Sequence, residues 1–186
     1  MRLVRSTLLI VAGLALGACG GGKMMAESSM PFGGDDSVQY AGQLWKALQA
    51  AGMLGDNAVM SKPYKGQHPH GAVLDTIEGP VKVGGHRGVA IVKRNYGGDN
   101  VGTASVATNP GAFLKAVTVM YKRERGYDSD NNDWFWAKYL ADGTLDKNPA
   151  GMQLAGRVAK GKPAGCIACH KAAPGGDMVF NHDRYK

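Results

Sequence analysis

Near the C-terminus Cys166 and Cys169 bracket Ile167 and Ala168, and His170 follows at once, giving a Cys-x-x-Cys-His run. Thiols at that spacing can each add to one vinyl group of a haem, and the adjoining imidazole is then placed to ligate iron from one side. Competing chemistries fit the run less well. A structural zinc site closes four ligands, and the chain holds no second Cys-x-x-Cys. A redox dithiol is looked for between a strand and a helix, whereas this run lies in a stretch rich in Gly, Pro and Lys. The expectation is one covalent haem c bonded to Cys166 and Cys169, with His170 as the proximal metal ligand.

The remaining cysteine, Cys19, closes a different pattern. Arg2 and Arg5 precede an apolar run over residues 8–16, and Leu16-Gly17-Ala18-Cys19 follows. The run is too short to span a bilayer and has the charge, core and small-residue layout of an export signal. Leucine three before a cysteine resembles the bacterial lipoprotein processing box, in which Cys19 is lipidated and becomes the first mature residue; a plain signal peptide is the alternative. Residues 1–18 are read as the signal, 19–34 as a flexible Gly/Ser tether whose composition cannot repay ordering entropy, and 35–186 as the haem-binding domain. Export to the periplasmic side, with a lipid anchor in the outer membrane, suits Cys-x-x-Cys-His maturation. With two cysteines assigned to haem and one to lipid, no structural disulfide is expected.

Removing Arg2 and Arg5 from 22 basic residues leaves 20 against 15 acids, a mature charge of about +5 before haem propionates lower it. The excess forms no basic block with interleaved aromatics, so nucleic acid is excluded as a partner class.

The elements that must carry this chemistry are mostly strands. Asp35-Asp36-Ser37 supplies acidic and capping residues before Val38, Ala41, Trp45 and Leu48, which recur at helical spacing, and Gly52 marks a stop. Residues 72–78, 88–96, 116–124 and 133–140 are short runs rich in Val, Ile, Thr, Tyr, Phe and Trp, separated by Gly, Pro, Asn and Asp. Asn109-Pro110-Gly111 signals a turn and residues 112–115 a single helical turn. The fold class is α+β, a mainly antiparallel sheet packed on the haem, with an N-terminal helix and short edge helices. A four-helix cytochrome is excluded because it needs four long amphipathic segments and the chain offers one.

Several stretches, in order, are similar to the cytochrome P-460 and cytochrome c′-beta family: Pro69 to Leu74, Gly88 to Tyr96, Thr118 to Lys122, Gly126-Tyr127, Asp133 to Tyr139, Cys166 to Lys171 and Asp177 to Phe180. The resemblance covers the folded domain and omits the tether. It implies an antiparallel sheet against a c-type haem whose iron, held by His170, keeps its opposite position open. In the P-460 branch a strand lysine is also bonded to the porphyrin, and the matching position is Lys93, which makes it the candidate catalytic and cofactor-binding residue. The resemblance implies hydroxylamine, or a similar small nitrogen species, as substrate, oxidised through an iron-nitrosyl with electrons passing to a partner cytochrome. The c′-beta branch implies instead a non-enzymatic nitric oxide or carbon monoxide binder. Paired subunits are a family tendency.

Alternation places Val89, Ile91 and Lys93 on one strand face and Ala90, Val92 and Arg94 on the other. Sharing a face with valine and isoleucine, Lys93 is partly desolvated, which favours its neutral, nucleophilic amine; a lysine whose head reaches water is the alternative. His68 and His70 share a face if extended and form a weak metal-binding pattern. Ligation of iron by His70 or Met120 makes the haem six-coordinate and the protein an electron carrier. Trp134 and Trp136 share a face suited to walling a haem pocket or to core packing. Glu78, Glu124, Asp133 and Asp177 are the candidates for a distal acid or base, Asp177 with a structural role as the stronger reading, and His86 and His182 are surface residues.

Overall fold

The computed structural model describes residues 30–180. The signal segment, Cys19, the first part of the tether and His182 lie outside the described residues. Within that span no helix is long and apolar enough to cross a membrane.

Helix α1, Asp35–Ala50, opens with Asp35 and Asp36 in its first turn, where carboxylates complement the positive end of the helix dipole. Ala41, Leu44 and Leu48 form its buried stripe. Just beyond the last turn Gly52 takes φ +67°, the left-handed conformation glycine supplies at a helix end.

Six strands follow one another across a single sheet in chain order: β1 (Tyr64–Lys65), β2 (Val73–Val83), β3 (His86–Tyr96), β4 (Leu114–Lys122), β5 (Trp134–Leu140) and β6 (Ala155–Gly156). Every neighbouring pair is antiparallel. Each of the four expected runs becomes a strand, and the first extends further than expected. Pro80 lies inside β2, opposite Val89. It is tolerated because β1 covers β2 only at Val73 and Leu74, so at Pro80 the outer edge demands no amide donor. Two short helices, α2 (Thr103–Thr108) and α3 (Pro110–Phe113), connect β3 to β4. The expected helical turn at 112–115 starts instead at Pro110, whose fixed φ suits a first helical position. Helix α4, Cys166–His170, carries the Cys-x-x-Cys-His run.

Alternation divides the side chains between two layers. Ala90, Val92, Val117, Val119, Tyr121, Phe135, Ala137 and Tyr139 face α1, packing with Ala41, Leu44 and Leu48. Tyr139 donates its hydroxyl to the Ala41 carbonyl at 2.9 Å, tying β5 to the helix. Arg94 shares this face and is buried. It meets Asp75 at 2.8 Å and donates to the Val59 carbonyl at 2.7 Å. Tyr96 donates to the other Asp75 oxygen at 2.8 Å. Burial pushes the Asp75 carboxyl up against the opposing pull of Arg94 and Tyr96. Such a closed network withstands burial only because every member has a partner.

The opposite face holds Ile91, Met120, Trp134 and Trp136, clustered with Ile167, Met178 and Phe32. Phe32 belongs to the stretch read as tether. It is buried and bridges to Gly156, while Gly33 donates to the Ala155 carbonyl at 2.8 Å. The last residues of that stretch therefore join the fold.

Candidate functional site

The sheet register builds the floor of the site. On the face away from α1, Thr76, Lys93, Thr118 and Lys138 stand in one row across β2 to β5, because Thr76 pairs with Lys93, Lys93 with Thr118 and Thr118 with Lys138. The adjoining row is Glu78, Ile91, Met120 and Trp136. Lys93 thus lies where alternation places it, beside Ile91 and half-buried.

Helix α4 packs over this floor. Ile167 is buried among Ile91, Met120, Trp134 and Trp136, and Cys166 lies against the same cluster. The ring of His170 meets Trp136 at 4.8 Å between centroids, Phe180 at 5.3 Å and His70 at 6.3 Å. The Trp134 indole N–H donates to the Asp177 carbonyl at 3.0 Å, fixing the segment after α4 to β5. Gly165, at φ +122°, turns the chain into α4, and a Cβ there would come within 2.4 Å of Ala159.

These residues fit a c-type haem. Neither Cys166 nor Cys169 is in a disulfide. Burial pushes the Cys166 thiol up, as expected of a sulfur packed against the apolar cluster. His170 donates from Nδ1 to the Met178 carbonyl at 2.8 Å, the outer-shell contact that orients a ligating imidazole and leaves Nε2 for the metal. Met178 is held by this backbone contact and is buried in the apolar cluster.

His70 enters the site from a turn ahead of β2. Gly71 permits the approach, since a Cβ there would lie 2.5 Å from the Tyr96 carbonyl oxygen. Asn95, buried on β3, binds the turn: its Oδ1 accepts from His70 Nδ1 at 3.1 Å and from the Gly71 amide at 3.3 Å. Its amide nitrogen donates to the carbonyls of Lys93 (2.9 Å) and Ala116 (3.3 Å) and to the Thr118 hydroxyl (3.2 Å). Burial first, and the charge of Lys93 second, push the His70 pKa down to about 4, so the ring is neutral at physiological pH. The extended His68/His70 pair is not formed: both lie in a turn, His68 exposed and His70 half-buried. Among the described residues no group of three His, Cys, Asp or Glu is gathered to hold a bare metal ion.

The acid and base candidates separate. Glu124 is exposed and pairs with Arg123 at 2.5 Å, which holds its carboxyl below the usual range. Asp133 accepts from the amides of Gly126 and Asp128 at 3.2 and 2.8 Å and shapes that loop. Asp177 pairs with Lys122 at 3.3 Å on the surface. Glu78 alone of the four projects from the floor itself, where it is exposed. His86 is half-buried rather than a surface residue, its Nε2 3.0 Å from the Lys122 carbonyl.

Sequence reasoning passed over Asn95, Thr118 and Lys138. Continuing the alternation two residues past Lys93 and Trp136 finds Asn95 and Lys138, but their convergence depends on register. Lys138 meets Asp146 at 2.8 Å. A cavity of about 490 Å³ opens elsewhere, at the start of α1, lined by Tyr40, Arg123, Tyr127 and Arg157 among others. None of Cys166, Cys169 and His170 lines it, and Arg123 is stacked on Tyr40 and Tyr127, 3.8 and 4.5 Å from their centroids.

No curated protein and no solved structure matches the chain. The family model described as Cytochrome P460 matches residues 49–181, a span that runs from the end of α1 through all six strands and α4. A c-type attachment motif folded over an antiparallel sheet, together with that match over most of its length, makes this chain a member of the cytochrome P460 family.

Proposed function

We propose that the protein carries one haem c, bonded to Cys166 and Cys169 and ligated by His170, and that it oxidises hydroxylamine or a similar small nitrogen species. The observation that carries this reading is the placement of α4 against the sheet face that bears Lys93. When bound, the haem supplies a redox centre and a coordination position for a small ligand. The chain supplies the surroundings. Ile91, Met120 and Trp136 give an apolar floor that limits water, and the adjoining row carries Lys93 and Lys138, the latter paired with Asp146. Met178 holds the His170 ring, and Lys93 stands on the floor as the residue for a bond to the porphyrin edge.

Electrons removed from substrate pass to an exported partner cytochrome, and the protein works at the periplasmic side, tethered through a lipid on Cys19. Optical spectra of the ferric and ferrous protein, combined with mass analysis of the tryptic peptide containing Lys93, test the proposal. A strongly shifted haem band and a haem mass on that peptide are expected. An ordinary c-type spectrum with an unmodified Lys93 peptide sinks the enzyme reading and leaves a nitric oxide or carbon monoxide binder.

A further inference from the structure

Two imidazoles converge on the site, and both are prepared in the same way. His170 is fixed through Nδ1 by the Met178 carbonyl. His70 is fixed through Nδ1 by Asn95, and the hydrogen-bond network settles which atom carries the proton. The Asn95 amide nitrogen faces two backbone carbonyls, which can only accept. Its Oδ1 must therefore face His70 and the Gly71 amide, so Nδ1 of His70 is the N–H and Nε2 carries the lone pair. That is the tautomer of a metal-binding histidine with its second nitrogen anchored.

The spacing agrees. Two imidazoles sharing one metal through bonds of about 2 Å each place their ring centres roughly 6 Å apart. His70 and His170 have centroids 6.3 Å apart and planes at 86°. A small ligand held between iron and His70 would need a wider gap. Met120, the other residue read as an axial candidate, is buried in the apolar floor beneath Ile167.

Resting on the haem reading above, we infer that His70 is the second axial ligand of the iron at rest, and that a small nitrogen ligand binds by displacing it. The side chain hangs from a turn and not from a strand. It can therefore swing while Asn95, Thr118 and Lys93 keep their places in the sheet. A closed resting state keeps water and stray ligands from the iron, and only a ligand that bonds better than an imidazole opens it.

The test uses the holoprotein. Ferric wild type is expected to be low-spin by optical and electron paramagnetic resonance spectra, with the strongly anisotropic signal of perpendicular imidazole planes. His70→Gly is expected to be high-spin, to return to low spin with free imidazole, and to bind carbon monoxide when ferrous at least about tenfold more tightly, since a cap that dominates at rest lowers apparent affinity by the uncapped fraction. A high-spin wild type indistinguishable from His70→Gly overturns the inference and leaves the haem reading standing. A variant that stays low-spin without imidazole overturns it as well, because another side chain then closes the iron. A colourless wild type overturns the haem reading itself, and the inference with it.

Discussion

The two faces of the sheet use the same strands for opposite purposes. Towards α1, alternate residues are aliphatic and aromatic and pack on a single helical stripe, and the buried Arg94 is matched by the buried Asp75, which also accepts from Tyr96. Towards α4, the same strands carry Lys93, Asn95, Thr118 and Lys138 beside Ile91, Met120 and the two tryptophans. The first face satisfies itself with the chain's own atoms. The second collects polar groups with defined donors and acceptors around the His70 imidazole. One face is thus built for stability and the other for a group the chain does not encode, and substitutions on each should report through different measurements.

The largest effect is expected from Asp75→Ala. Removing one partner leaves the Arg94 guanidinium buried without its carboxylate, a loss of about 3–5 kcal/mol. Urea unfolding should record it while the haem spectrum of the remaining folded protein stays as in wild type; a spectral change would break the division between faces. Gly71→Ala addresses the other side. The new methyl group would collide with the Tyr96 backbone and push the His70 turn away from Asn95, at a cost of about 1–3 kcal/mol. Its distinguishing sign is an altered ferric spin state, which Asp75→Ala should not produce.

The smallest effect concerns the edge of the site. Burial alone would raise the Asp146 carboxyl, but hydrogen bonds from Lys138 and from the Lys147 amide hold it below its ordinary value of 3.8. A carboxylate depressed in the folded state contributes stability that is present above its unfolded value and lost as pH falls through the folded one. Being part-exposed, the pair contributes only about 0.2–1 kcal/mol. Wild type and Asp146→Asn should therefore differ in midpoint at pH 6 and converge below about pH 3.8; a difference that persists in acid would assign Asp146 a role other than its charge.

Much of this architecture was legible because alternation is a local property. The strand around Lys93, the opposite placement of Phe135 and the two tryptophans, the capped start of α1 and its stop at Gly52 all follow from residues within a few positions of one another. Helix α2 was missed because its one buried side chain, Val106, gives no period to read. The extension of β2 through Pro80 was missed because its tolerance depends on a neighbouring strand being short.

The sequence alone determined the Cys-x-x-Cys-His spacing, the face on which Lys93 lies and the antiparallel class, since each depends on spacing along the chain. Only the tertiary structure decided that His70 and His170 meet above the floor that carries Asn95, Thr118 and Lys138. Their meeting depends on strand register and on a turn that packs closely against β3 through Gly71. Register is fixed by contacts between residues far apart in the chain, and no local pattern carries that information.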